Sequence, residues 1–533
     1  MAKDENFNRL KELVDRLRPW EVKTAKKFLV AFDTNVTRSR NKSLRLFKLL
    51  VSRSGISMEK ARKIVSKEVD ATSFNKLVLR LSNKLLESLL LDINVNHTDA
   101  YSDWYRYRLD LRKKIMQAFT IKGRGLDREA FALYDKIIKR AIEYELYDEL
   151  LEVLYLKQQD LGLRLGKKEF EKYSKKIKFY QRCKAAVHRA KNWRYRHFIE
   201  EVDNMGFKNE KLGLLTEAIS DLQEEYRITK SANVGYYLYF LMMEYYLAYG
   251  YYKKSCETAL RLIEMIESNP AIYMKRRLGH AYSDLADNEL FIHDFDASLK
   301  HARIAQNYYD PNEYDFEVAK EIEFKVHFYK GDIKRASNTI NELLKNVRRE
   351  NTPFQHDKRV YLKACVLFVR QKFKDSYKLL QKCMEIEQDQ EGWNIGIRVL
   401  SILNLVEMVD LDFADARIEA MRKHIERIKE LKPVRKRDII ILKILRQLEK
   451  ESFDFRTVYK KYKKNFEKLE SNREDYWWKV KSPEMIVFHK WFEAKVKNEP
   501  YQFSIPKKVL EQANKAPNKK SVVDLKIMAE LDV

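Results

Sequence analysis

The chain has 533 residues, 45% hydrophobic and 35% charged, with only 13 Gly and 9 Pro and a formal net charge of +26. So few turn formers exclude a strand-rich sandwich or barrel, and the length exceeds what one compact core accommodates. What remains is an all-α chain whose helices carry apolar stripes and wet faces, extended by repetition.

The charge surplus is regional: residues 1–200 hold 46 Lys and Arg against 26 Asp and Glu, and the remainder holds 59 against 53. A field concentrated at one end draws polyanions or acidic protein surfaces. The opening MAKDENFNRLKELVDRL carries charges every few residues, and no later stretch reaches about 18 uncharged apolar residues. A cytoplasmic protein without membrane insertion is therefore expected. Cys183, Cys256, Cys365 and Cys383 form no CxxC pair and are expected to be buried, reduced thiols.

Apolar spacing predicts helices over 7–18, 20–32, 42–53, 57–67 and 72–92, with Pro19 suited to the first turn of the second. Together they make a small helical module at 1–98. The outline at 54–91 is that of a helix-turn-helix, but Leu77, Leu79, Leu81, Leu85, Leu86, Leu89 and Leu90 suit packing better than groove reading.

Polar residues 92–103 lead to a basic helical region at 104–230, broken by Gly-Arg-Gly at 123–125. Between Arg164 and Arg196 stand 13 cations and two acids, interleaved with Tyr173, Phe179, Tyr180, Trp193 and Tyr195. One interpretation is a solvated helix with its rings turned inward. The others are a surface for an acidic protein or for nucleic acid, with Lys167, Lys168, Lys172, Lys175, Lys176, Arg182, Lys184, Arg189, Lys191, Arg194 and Arg196 facing the anionic partner.

From 231 to 430 the chain repeats. Tyr252, Phe295, Ile333, Phe373 and Phe413 recur at steps of 43, 38, 40 and 40 residues, each followed three places later by Ser255, Ser298, Ala336, Ser376 or Ala416. That period signals stacked two-helix units, because one hairpin cannot hide its apolar face alone. A small residue lets two helices approach, and the large one locks the turn between them. With Gly250 and Gly331 before two of these turns, the segment resembles the tetratricopeptide-repeat superfamily. The resemblance implies an α-solenoid that binds a protein or peptide. It places Tyr237, Phe240, Glu244, His280, Asp287, Glu321, Lys325, Lys358 and Tyr361 on the groove-lining first helices.

Residues 431–498 read as one or two closing helices, with Trp477, Trp478, Phe488, Trp491 and Phe492 capping the last repeat. From 500 to 533 a polar, Pro-punctuated tail is expected to be loosely held. Gly162 to Lys168 imitates a phosphate loop but lacks its spacing and its Ser or Thr. No HExxH or GxSxG motif occurs. The chain is thus expected to be a bacterial scaffold or adaptor without enzymatic activity or cofactor, the alternative being a nucleic-acid or ribonucleoprotein binder using the basic N-terminal half.

Overall fold

The computed structural model describes residues 2–31, 41–53, 55–65, 70–91, 103–203, 208–345, 353–383, 386, 389, 392–431, 434–471, 476–506 and 509. Every regular element among the described residues is an α-helix, and none is long and apolar enough to cross a membrane. The chain forms two compact units, Met1–Leu133 and Tyr134–Val533.

The first unit contains α1 (Ala2–Asp15), α2 (Pro19–Ala31), α3 (Lys42–Ser52), α4 (Met58–Val65), α5 (Ala71–Leu91) and α6 (Asp103–Lys122). Phe7, Leu10, Leu29, Phe47, Phe74 and Leu81 make its core. Asn41 ties the start of α3 to the end of α2: its Oδ1 accepts from Leu44 N–H (2.8 Å) while its Nδ2 donates to the Leu29 carbonyl (2.9 Å). On α5, Leu77, Leu81 and Leu85 are buried, whereas Leu79, Leu86 and Leu90 stay exposed. The packing role expected of that helix holds for one face only. The polar linker expected at 92–103 lies almost wholly outside the described residues.

A helix at Asp127–Glu143 (α7) crosses the division between the units. The second unit continues with α8 (Tyr147–Leu165), α9 (Lys167–Asp203) and α10 (Lys208–Thr229). Five helix pairs follow: α11 (Ala232–Tyr249) with α12 (Tyr252–Ser268), α13 (Lys275–Phe291) with α14 (Phe295–Gln306), and α15 (Tyr314–Tyr329) with α16 (Ile333–Lys345). The last two are α17 (Pro353–Val369) with α18 (Phe373–Leu380) and α19 (Trp393–Glu407) with α20 (Leu411–Leu431). Four further helices close the stack: α21 (Lys436–Lys450), α22 (Phe455–Lys461), α23 (Lys463–Glu470) and α24 (Phe488–Lys497). The second unit is an α-solenoid of stacked hairpins.

One turn joins the helices of all five pairs. Gly250, His293, Gly331, Gln371 and Val409 each take positive φ. The N–H after each reaches back five residues, as in Tyr251 to the Tyr246 carbonyl (2.8 Å) and Asp410 to the Leu405 carbonyl (2.9 Å). This is the Schellman arrangement, which satisfies carbonyls that the helix end would otherwise strand.

The second helix then starts two residues after the positive-φ residue, and the helix crossing falls three residues further on. Ser255, Ser298, Ala336 and Ser376 stand there with no exposed area. The fifth crossing corrects the sequence-based pair. Val409 sets the frame, so Leu411 and Ala414 hold the equivalent places, Ala414 fully buried. Phe413 is 63% exposed and Ala416 is also in solvent.

The serines do more than leave room. Ser255, Ser298 and Ser376 donate to the carbonyls of Met243, Ala286 and Ala364, each 12 residues back on the partner helix, at 3.0, 2.7 and 2.9 Å. Asn288 and Asn404, from the next pair, donate to Ser255 and Ser376 at 2.9 and 3.0 Å. A buried hydroxyl thus links three helices, and such groups stabilise only when satisfied. At the start of the stack, Glu145 accepts from Ser231 Oγ (2.7 Å), Ala232 N–H (2.6 Å) and Asn233 N–H (3.1 Å), capping α11.

All four cysteines are buried and free; burial pushes the thiols of Cys256 and Cys383 up to about 12.

Val409 is the costly member of the turn series, a β-branched residue in the left-handed region. Val409→Gly is expected to raise unfolding free energy by roughly 0.5–1 kcal/mol, the relief of that strain exceeding the entropy glycine adds to the unfolded chain. Urea melts of the two proteins measure the difference.

Candidate interaction surfaces

The first helices of successive pairs lie side by side and present one shared inner face. The residues expected to line a groove all lie on these helices, but they are not equally open. Phe240, Glu244 and His280, on α11 and α13, are half-buried, while Tyr237 is buried. Arg194 of α9 crosses over the Phe240 ring (4.3 Å) and donates to Tyr236 Oη (3.3 Å). Glu244 lies 3.9 Å from His197. His280 shares Asp315 (3.2 Å) with Arg276 (2.6 Å).

Further along, Glu321 lies 2.8 Å from Lys358 and 3.4 Å from Lys325. Burial favours the neutral acid, but the two ammonium groups outweigh it and hold Glu321 at about 2. Lys358 also sits over the Trp393 ring (5.1 Å). Beside them the buried pair Arg359 and Glu317 meets at 2.8 Å.

This half of the face is covered by the chain itself. Residues 476–487 fold back onto the stack. Lys481 pairs with Asp287, and its N–H donates to Tyr329 Oη (2.9 Å). Tyr361 Oη donates to the Pro483 carbonyl (2.6 Å). That carbonyl passes so close to α19 that a Cβ added at Gly396 would lie 2.6 Å from it. Asp287 and Tyr361, expected to meet a partner, therefore meet this segment, and Tyr361 and Lys325 are buried.

The expected loose tail also needs correction at its start. Tyr501 is buried and its hydroxyl accepts from Val487 N–H (3.2 Å), and Phe503 packs on Phe328 with ring centroids 4.8 Å apart. Val509 is buried; residues 507, 508 and 510–533 lie outside the described residues.

One side chain pins the segment. Arg437 of α21, fully buried, donates to Glu484 Oε2 (2.5 Å) and Oε1 (2.8 Å), to the carbonyls of Leu469 (2.8 Å) and Tyr476 (2.9 Å), and pairs with His489 Nδ1 (3.1 Å). Glu484 also accepts from Phe488 N–H (2.9 Å), and its backbone carbonyl takes Trp478 Nε1 (2.8 Å). A guanidinium this deep is tolerable because its donors are engaged. Sequence reasoning missed Arg437 and Glu484, which are 47 residues apart and fall in no motif.

The basic surface is α9. Lys167, Lys168, Lys172, Lys175, Lys176, Arg182, Lys184, Arg189, Lys191 and Arg196 are exposed, and Arg194 turns toward the inner face. Tyr173 and Trp193 are buried, whereas Phe179 and Tyr195 are exposed.

The sequence-local excess of cations is partly cancelled in space. Arg182 reaches Glu225 (3.1 Å), Arg189 reaches Asp221 (3.0 Å), and Lys184 reaches Asp148 (2.6 Å). Lys167 and Lys172 pair with Glu171 (3.7 Å) and Glu169 (3.1 Å) on their own helix. Lys168, Lys175, Lys176 and Lys178, all in the first third of α9, have no carboxylate partner among the described residues, and neither has Arg196 near its other end. Between α8 and α9 runs an open groove of about 830 Å³, lined by Asp148, Glu152, Tyr155, Gln181, Lys184 and His188 among others.

Asp284 links the open and covered halves of the inner face. Burial, then Glu244 and Asp287, raise its pKa to about 8 against the pull of Arg194 and Lys481. The folded state therefore keeps a proton that the unfolded chain loses near pH 4, so stability falls as pH rises from about 4 to about 8. Asp284→Asn is expected to flatten that slope, adding roughly 1–3 kcal/mol on the alkaline side and little on the acid side, measured by melts across pH. Arg437→Met, which strands the Glu484 carboxylate, is expected to cost roughly 3–5 kcal/mol; adding Glu484→Gln should recover part of that loss in the same denaturant titration.

No family model and no curated protein matches the chain. Among solved structures, it is similar to a signal transduction ATPase with numerous domains (STAND) protein with a tetratricopeptide repeat sensor from Pyrococcus horikoshii. The sequence identity is 13% and the TM-score 0.39, over 80% of this chain and 67% of that one.

Proposed function

We propose that the chain is a non-enzymatic scaffold or adaptor of tetratricopeptide-like type, which holds a protein partner on its solenoid and uses the first turns of α9 against an acidic surface of that partner. The observation that carries this reading is the cluster of exposed cations at Lys168, Lys175, Lys176 and Lys178, which no carboxylate answers among the described residues. Such a field raises the encounter rate with an acidic partner and aligns it. Because residues 476–506 cover the inner face from α15 to α19, a peptide segment of the partner would meet the open portion at Phe240, Glu244 and His280. Arg194, which leaves α9 to lie over Phe240, joins the two surfaces.

A second reading has its own support. Phe179 and Tyr195 are exposed beside Lys178 and Arg196, and rings next to cations can stack bases while phosphates are held. Affinity capture with the intact chain and with Lys175→Glu/Lys178→Glu separates the two. The scaffold reading predicts that an acidic protein is retained by the native chain, that the charge-reversed variant weakens retention about tenfold, and that its melting is unchanged. Recovery of RNA or DNA instead, lost steeply with added salt, would replace it with the nucleic-acid reading.

A further inference from the structure

The turn between α8 and α9 is built unlike the repeat turns. Gly166 alone separates the two helices, with φ 84° and ψ −169°, a conformation essentially reserved for glycine. The chain reverses so abruptly that the residues on either side stand at the end of the hairpin. Leu163 is 89% exposed and Leu165 64%. Phe170, 46% exposed, lies across Gly162, where an added Cβ would come within 2.8 Å of its ring. Large apolar side chains at a hairpin end have no walls around them with which to grip a folded partner.

The same end is cationic. Arg164, Lys167, Lys168 and Lys172 flank the leucines along the chain and are exposed, and Glu169 and Glu171 are the only acids between 161 and 199. Lys168 has no carboxylate partner among the described residues. An exposed apolar turn flanked by exposed cations matches the surface of an anionic bilayer, where apolar side chains enter the headgroup boundary and ammonium groups meet lipid phosphates. We propose that the α8–α9 turn docks the protein on an anionic lipid surface, with Leu163 and Leu165 entering at headgroup depth and Lys167 and Lys168 at the phosphates. No spanning helix is required. This assignment shares Lys168 with the acidic-partner surface proposed for α9 and is distinguished from it by Leu163 and Leu165, which that surface does not use.

Co-sedimentation of the full chain with vesicles tests it, using phosphatidylcholine alone and phosphatidylcholine mixed with phosphatidylserine. The native chain should pellet with the mixed vesicles, weakly or not at all with the neutral ones, and less as salt rises. Leu163→Asp/Leu165→Asp should weaken that binding about tenfold or more with melting unchanged, because both side chains already face water. Lack of binding to the mixed vesicles at low salt would overturn the proposal. So would native-like binding by the leucine variant, since the cations of α9 alone would then suffice. A soluble acidic protein that binds as tightly as the vesicles and ignores the leucines would assign the turn to a protein and also overturn it.

Discussion

A helical hairpin leaves an apolar flank open on each side; between residues 232 and 431 each flank is closed by the next pair, and the two helices of each pair cross where only a small side chain fits. Ser255, Ser298, Ala336, Ser376 and Ala414 occupy those crossings with no exposed area. The turn before each, with its positive-φ residue, sets how far the second helix is rotated when it reaches the crossing. Three of the five small residues are serines bonded to a carbonyl on the partner helix, so close approach and polar satisfaction come from one side chain. A larger residue would separate the helices and also orphan a neighbour's asparagine at Ser255 or Ser376.

The same requirement operates at the end of the stack, where no further pair arrives. There the chain closes its own flank. Trp478, Phe488, Trp491 and Phe492 are buried, and the segment carrying the first of them runs back along the inner face as far as Asp287 and Tyr329. The Arg437–Glu484 pair lets a stretch of irregular backbone sit inside the fold, because its charges satisfy each other and the nearby carbonyls. A consequence is an inner face of two parts, one lined by Phe240, Glu244 and His280 and open, the other sealed. The cluster of exposed lysines at Lys168, Lys175, Lys176 and Lys178 lies on a different helix, α9.

Much of this was legible in the residues. Apolar spacing places the helices of the first unit within a few positions, and the Tyr252/Ser255 type of pair marks four crossings of five. The fifth was misread because its turn residue is Val409, which carries no chemical sign of positive φ, whereas Gly250 and Gly331 do. Phe413 and Ala416 reproduce the expected spacing two residues late, by composition alone. The aromatic residues of 476–498 marked a cap on the last repeat, but the fold-back itself was not legible, since nothing in that text says which distant helix the segment meets. Its burial depends on Arg437 and Tyr361, 47 and 122 residues from their partners. Likewise the cations of α9 looked unopposed because Asp221 and Glu225 stand on another helix.

The central claim is that the inner face from α15 to α19 is filled by the chain's own residues, which leaves α9 and the open portion by α11 and α13 to meet partners. Amide hydrogen exchange of the full chain, followed by mass spectrometry over peptides from 476 to 506, tests it most directly. Protection there comparable to that of α17 and α19, including the amides of Lys481 and Val487, is the predicted result. Exchange across that stretch at the rate of an unstructured peptide, with the helices still protected, would contradict it.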